Sequence, residues 1–173
     1  MGEDMSATNR GAKRRERDAY STPAWCVEAI AEQIVWPELP SVLEPCIGDG
    51  AIANVLLEKY VDYIEWAEIE KGRDFLTWDF GRRFDFVITN PPFRLAQEFV
   101  ERSLELANCV IMLLPITFLA SRKRKAWWQD KKPTALFILS RRPSFDGKGT
   151  DATEYAWYMW DFTGRQKTGL HWL

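Results

Sequence analysis

Residues 84–93 read Phe-Asp-Phe-Val-Ile-Thr-Asn-Pro-Pro-Phe, an apolar run that is closed by two consecutive prolines. Proline has no backbone N–H and cannot donate to a sheet ladder, so the pattern predicts a strand over 84–89 followed by a rigid turn. The turn presents the Asn90 amide, the Pro91 carbonyl and the Phe93 ring. Open α/β sheets bind ligands at the carboxyl ends of their strands. The stretch therefore predicts a site for a planar group that carries an amino substituent.

Predicted strands and helices alternate on both sides of this stretch. The strands are expected at 41–43, 63–69, 84–89, 109–114, 135–139 and 155–160, and the helices at 51–60, 95–107 and 118–130. This alternation indicates an α/β fold with a mostly parallel sheet wrapped by helices and a hairpin at its end.

A glycine loop, Glu-Pro-Cys-Ile-Gly-Asp-Gly over 44–50, follows the first predicted strand and precedes a helix, which is how a Rossmann-like unit begins. Glu44 and Asp49 flank the loop and would repel a pyrophosphate by ~1–4 kcal/mol per close charge pair. The loop also lacks Gly-x-Gly-x-x-Gly spacing, so a positively charged cofactor is favoured. Glu68 lies about 20 residues further on, where an acid usually accepts hydrogen bonds from ribose hydroxyls, and Glu70 is the alternative.

Four elements in this order resemble the motifs of S-adenosylmethionine (AdoMet)-dependent amino-methyltransferases, above all the DNA adenine-N6 enzymes. They are Tyr-Ser-Thr-Pro-Ala-Trp at 20–25, the glycine loop, Gly-Arg-Asp-Phe-Leu at 72–76 and Asn-Pro-Pro-Phe at 90–93. The resemblance implies a Rossmann-like methyltransferase fold, with a seven-stranded type of sheet and an antiparallel last strand. It also implies AdoMet as cofactor, bound by Tyr20, Thr22, Pro23, Glu44, Pro45, Cys46, Gly48, Asp49, Gly50, Glu68, Ile69, Asp74, Phe75 and Asn90.

The reaction implied by this resemblance is methyl transfer to the N6 amine of adenine in DNA, duplex with a flipped base or single-stranded. Asn90, Pro91, Pro92 and Phe93 would be the catalytic residues. Asn90 and the Pro91 carbonyl would accept the amine hydrogens, and Phe93 would stack on the extruded base.

Several alternatives stay open. The same chemistry could act on an adenine or guanine amine of RNA or on a protein glutamine, and the chain could instead be a non-catalytic subunit that binds AdoMet or nucleic acid. Asn-Pro-Pro-Phe could also be no more than a stiff turn.

The chain departs from the family pattern in two places. Too few residues separate Glu68 from Phe84 for the usual helix and third strand, so one edge of the sheet is expected to be trimmed. No target-recognition domain follows residue 160, which fits the compact enzymes of phages and mobile elements. We therefore predict a disordered basic tail over 1–17 and a single catalytic domain over 18–173. The oligomeric state is left open.

Composition limits the remaining possibilities. No apolar run approaches the ~18 residues of a membrane span, and residues 1–17 do not have the pattern of a signal peptide, so we expect a cytoplasmic protein of a bacterial or phage-infected cell. Three scattered cysteines and a single histidine argue against a metal site. Although the net charge is −2, basic residues cluster. Those interpreted as DNA phosphate contacts, or alternatively as a solvated face, are Arg122, Lys123, Arg124, Lys125, Lys131, Lys132, Arg141 and Arg142.

Overall fold

The computed structural model describes residues 21–145, 149 and 151–173. The helices of this part are α1 (Ala24–Ala31), α2 (Ala51–Lys59), α3 (Ala96–Leu106) and α4 (Lys125–Asp130). The strands are β1 (Val42–Glu44), β2 (Ile64–Trp66), β3 (Phe84–Thr89), β4 (Ala107–Pro115), β5 (Ala135–Ile138), β6 (Tyr155–Asp161) and β7 (Gly169–Trp172).

These seven strands of the described residues form one sheet in the order β2-β1-β3-β4-β6-β5-β7. Neighbouring strands are parallel except at β6, which is antiparallel to both β4 and β5. The predicted α/β class is thereby confirmed. β1, β2, β3 and β4 all end at the same edge of the sheet, which we name the carboxyl edge. The prolines at 91 and 92 follow β3 at this edge, as predicted.

Alternate residues of the central strands pack on opposite faces of the sheet. On one face, α1 and α2 cover side chains such as Ile88, Ile111 and Trp157. On the other face, α3 and the segment around α4 cover side chains such as Val87, Met112 and Tyr158. β3, β4 and β6 are buried on both faces, which explains why their sequences are almost continuously apolar. This rigid centre holds the carboxyl edge in place.

The trimmed edge is also present. Residues 67–83 contain one 3-10 turn (Ile69–Lys71) and an isolated bridge between Glu68 and Arg73, and β2 ends the sheet. β2 itself is shorter than the strand predicted over 63–69.

Two predicted elements were wrong. The helix expected over 118–130 is divided into 3-10 turns at Ile116–Phe118 and Arg122–Arg124 and the short helix α4, because Ser121 adopts an extended conformation. Arg122 and Lys125 would be a like-charge pair three residues apart on a continuous helix, which disfavours it slightly. The strand at 155–160 is antiparallel as predicted but is not the last one, since β7 follows it and pairs in parallel with β5.

The predicted tail over 1–17 and Tyr20 lie outside the described residues, as does part of the loop that precedes β6. The division into a tail and one catalytic domain therefore stays a prediction.

Candidate functional site

A cleft of about 1320 Å³ opens at the carboxyl edge. Segments from different parts of the chain meet there: the entry to α1, the glycine loop, the turn after β2, the segment 74–76 and the end of β3. Thirteen of the predicted site residues line the cleft: Thr22, Pro23, Glu44, Pro45, Cys46, Gly48, Asp49, Glu68, Ile69, Asp74, Phe75, Asn90 and Pro92.

The glycine loop is fixed to the end of β2 by backbone and side-chain bonds. The Gly48 N–H donates to Glu68 Oε2 at 2.9 Å, and the Ile47 N–H donates to the Ala67 carbonyl at 3.1 Å. Gly48 and Gly50 both have positive φ, 51° and 82°, a region that side chains rarely adopt. The loop therefore needs glycine for its backbone path, and Gly50 starts α2 without lining the cleft.

Glu44 is the most unusual side chain of the cleft. It is 2% exposed, and its Oε2 has no hydrogen-bond partner among the described residues. Burial, followed by the Asp49 and Glu68 carboxylates, raises the pKa of Glu44 well above its usual range, although the backbone N–H of Ala53 acts in the opposite direction. An unpartnered buried carboxyl oxygen is costly unless a ligand satisfies it. Because carboxylates surround it, that ligand should be a cation or a hydrogen-bond donor.

Asp74 and Phe75 form another part of the cleft wall. Asp74 Oδ1 accepts from the Leu76 N–H at 3.0 Å, which fixes the carboxylate. Phe75 is 2% exposed and packs on Phe99 with ring centroids 4.9 Å apart. Ile69, in contrast, is 68% exposed beside the cleft and offers an apolar surface for a flat ligand.

Asn90 holds its amide in a defined orientation. Its Nδ2 donates to Thr22 Oγ1 at 3.1 Å, and Thr22 is 4% exposed. The Asn90 Oδ1 is buried and has no partner among the described residues. On the backbone side, Cys46 Sγ lies 3.0 Å from Thr89 Oγ1 and 3.5 Å from the Asn90 carbonyl oxygen. The cleft thus contains a positioned, unsatisfied acceptor in addition to that of Glu44.

The other residues of the tetrapeptide differ in their access to the cleft. Pro92 lines the cleft, whereas Pro91 is buried and is not part of the lining. Phe93 is also outside the lining, and its ring packs against Tyr155 with centroids 5.7 Å apart. The stacking role expected of Phe93 stays a prediction.

No family model matches this sequence, and no curated protein sequence matches it. Solved structures do. A type I restriction-modification system methyltransferase subunit from Streptococcus thermophilus superposes with a TM-score of 0.60 at 14% identity, over 83% of this chain and 45% of that one. The 23S rRNA methyltransferase ErmE gives 0.57 at 16% identity, over 81% and 68%. Precorrin-6y C5,15-methyltransferase from Geobacter metallireducens gives 0.56 at 9% identity, over 83% and 94%.

The chain has the fold of the AdoMet-dependent methyltransferases. This confirms the predicted fold at the level of architecture, and at these identities the likeness shows the fold alone. The chain spans less than half the length of the Streptococcus subunit.

Some residues lining the cleft of this methyltransferase fold were missed by the sequence analysis. Ser144 and Phe145 come from the loop between β5 and β6, which the topology returns to the carboxyl edge. Leu95 and Phe99 were interpreted only as apolar markers of a helix, although both also face the cleft. A repeat of apolar residues along α3 cannot show which of them border a cavity.

The predicted phosphate contacts are dispersed. Arg122, Lys125 and Lys132 line a second cavity of about 610 Å³ beside α4, together with Leu119, Ser121, Trp128, Gln129 and Pro133; we name it the α4 hollow. The other predicted contacts differ in their surroundings. Arg124 donates to the Phe118 carbonyl, Lys131 pairs with Asp130, Arg141 lies over the Trp25 ring, Arg142 pairs with Glu154, and Lys123 is exposed.

Among the described residues, no group of three or more His, Cys, Asp or Glu side chains is placed to hold a metal ion. No helix within that same part of the chain has the length and apolar character needed to cross a membrane.

Proposed function

We propose that this chain transfers a methyl group from AdoMet to the exocyclic N6 amine of adenine in DNA. The observation that carries this proposal is a pair of buried acceptors in one cleft, Asn90 Oδ1 and Glu44 Oε2, neither of which has a hydrogen-bond partner within the described part of the chain. Asn90 Oδ1 is an acceptor suited to an amine, and Glu44 Oε2 is an acceptor within a cluster of carboxyl groups. The likeness in fold to a type I restriction-modification methyltransferase subunit supports DNA as the acceptor class.

The residues present fit AdoMet. Its sulfonium and ammonium are cations, and the carboxylates of Asp49 and Glu68 line the cleft. Burial raises the pKa of Glu44, and a bound cation would shift that carboxyl back toward its charged form. Each close pair of opposite charges near a protein surface contributes roughly 1–4 kcal/mol of attraction. When bound, AdoMet would supply an electrophilic methyl group. Asp74 and Ile69 would hold the adenosine part through a hydrogen bond and an apolar contact.

Asn90 and Pro91 would activate the acceptor. The adenine amine is a poor nucleophile because its lone pair is delocalised into the ring. Acceptance of one amine hydrogen by Asn90 Oδ1 and of the other by the Pro91 carbonyl would favour a pyramidal nitrogen, whose lone pair is then available for in-line attack. This is transition-state stabilisation by positioned acceptors. Asn90 has no basic group, and the methylated ammonium is acidic enough to lose its proton to water.

The experiment is transfer of radiolabelled methyl groups from AdoMet to duplex DNA, single-stranded DNA, RNA and bulk protein. Asn90→Ala should leave AdoMet affinity nearly unchanged and reduce turnover by about 10²–10³, by analogy with deletion of an oxyanion-hole donor. Asn90→Asp should keep partial activity because a carboxylate still accepts hydrogen bonds. The matched control is Asn108→Ala, the same change near the amino end of β4 and therefore at the opposite edge. Wild-type turnover in Asn90→Ala would refute the assignment of the active site.

RNA is the second candidate acceptor, favoured by the superposition on the 23S rRNA methyltransferase ErmE. Radiolabel in RNA rather than in DNA would identify RNA as the acceptor. Label in protein would indicate a glutamine acceptor, and AdoMet binding without label in any polymer would indicate a non-catalytic subunit.

A further inference from the structure

The α4 hollow is a second cavity whose chemistry differs from that of the cleft. Among the described residues, its walls contain three apolar side chains, Leu119, Trp128 and Pro133, and three cations, but no carboxylate. Its volume of about 610 Å³ is within the usual range of small-ligand sites. Charge and shape together favour a ligand with one flat apolar part and one anionic part.

The cations of the α4 hollow are available to a ligand. Arg122, Lys125 and Lys132 form no ion pair with any residue that the structure describes, and Arg122 and Lys125 are exposed. Two nearby basic side chains are engaged elsewhere, since Arg124 stacks on the Phe118 ring at 4.2 Å and Lys131 pairs with Asp130 at 2.9 Å, whereas Lys123 is exposed outside the hollow. The sequence cluster of basic residues therefore separates into engaged and unengaged members.

The aromatic wall of the α4 hollow is rigid. The Trp128 ring stacks on Tyr158 with centroids 6.2 Å apart and packs edge-on against Phe118 at 5.5 Å. Its indole Nε1 has no acceptor among the described residues. Gln129 lies on the same wall and can both donate to and accept from the edge of a base.

The segment that forms the α4 hollow begins close to the carboxyl edge, where β4 ends. β3 and β4 are parallel, with Thr89 opposite Met112, so both strands end at the same edge. β4 ends at Pro115, and the first residue of the hollow, Leu119, follows four residues later. The hollow-forming segment then crosses the face of the sheet to Lys132 and Pro133, just before β5 begins at Ala135 beside Met159 of β6. A strand whose target base enters the cleft could therefore follow this segment across the sheet.

We propose that the α4 hollow binds a nucleotide of the acceptor strand other than the methylated one. Its base packs on Trp128 and Leu119, and its phosphate contacts Lys125, Lys132 and Arg122. This inference rests on the proposed function, because it assumes a nucleic-acid acceptor. It also assigns target-strand selection to a short segment of the catalytic fold itself.

The first test compares two pairs of identical substitutions in the full chain. Lys125→Gln with Lys132→Gln removes two cations of the hollow, whereas Lys123→Gln with Lys131→Gln removes two neighbouring cations outside it. Binding of a single-stranded oligonucleotide is followed by fluorescence anisotropy over a range of salt, without AdoMet. The hollow pair should lower the salt slope by about 1.4, which is roughly 0.7 per lost contact on a single strand, and the control pair should leave it unchanged. Equal slopes in the two pairs would overturn the proposal.

The second test locates the base. Abasic sites are placed in turn along the oligonucleotide, and one position other than the target should lose about 5- to 150-fold in affinity through the lost stack. A photoreactive 5-iodouracil at that position should cross-link to the peptide containing residues 119–133. Cross-links confined to other peptides would overturn the proposal.

Both tests are made in the Asn90→Ala background, so they do not depend on turnover. Failure of methyl transfer to every nucleic acid by the unaltered chain would refute the proposed function and leave these binding results standing. Normal methyl transfer together with equal salt slopes would refute only the nucleotide-binding role proposed for the α4 hollow.

Discussion

Thr22→Val should reduce turnover without weakening AdoMet binding. Thr22 Oγ1 receives the 3.1 Å hydrogen bond from Asn90 Nδ2 and is buried, and valine replaces the hydroxyl by a methyl group of similar size. A neutral hydrogen bond of this kind contributes about 0.5–1.5 kcal/mol. The hydrogen bond is expected to stabilise the transition state only by orienting the Asn90 amide. Its loss would then raise the activation barrier by the same amount. The expected fall in kcat is then about 2- to 13-fold.

The assay is steady-state methyl transfer at saturating AdoMet, with calorimetry for AdoMet affinity. Thr22→Ser keeps the hydroxyl and is the control. In an Asn90→Ala background, Thr22→Val should have no further effect, because the amide that it positions is already absent. A weaker AdoMet affinity with unchanged kcat would refute this reasoning and return Thr22 to the cofactor-binding role that the sequence motif implies.

Two further predictions concern carboxylates of the cleft. The pKa of Glu44 is higher in the folded chain than in the unfolded chain. At pH values between these two pKa values, the folded chain therefore holds a proton that the unfolded chain has released. The free energy of unfolding should fall as pH rises through this range. Glu44→Gln should flatten this dependence in urea denaturation at a series of pH values, and an unaltered profile would contradict it. Glu68→Ala should weaken AdoMet binding in calorimetry by about 1–3 kcal/mol, whereas an effect seen only in Glu70→Ala would move the ribose contact by two residues.

Local patterns predicted the centre of the fold well. β3 has the predicted bounds, because the prolines after Thr89 end a strand wherever it lies in a sheet. The buried strand β4 and the helix α3 were each found within a few residues, since continuous and periodic apolar runs are strong signals. The motifs also brought together residues as distant in sequence as Thr22 and Asn90.

What the sequence did not predict depends on long-range pairing. β7 is four residues long and mostly exposed, and it is a strand only because β5 is beside it. Ser144 and Phe145 reach the cleft because β6 reverses direction in the sheet. Composition also could not show which basic residues are free to bind a ligand. Arg124 stacks on Phe118 and Lys131 pairs with Asp130 only because the fold brings these side chains together.

The two ends of the sheet differ in their protection against intermolecular strand pairing. β2 is only three residues long, and Arg73 engages it by pairing with Glu65 and stacking 4.9 Å from the Trp66 ring. Short, charged edge strands are poor templates for the addition of another chain. β7 ends the sheet on the other side with Leu170 58% and Trp172 67% exposed. Concentrated samples should therefore aggregate through β7, and Leu170→Lys should improve their solubility.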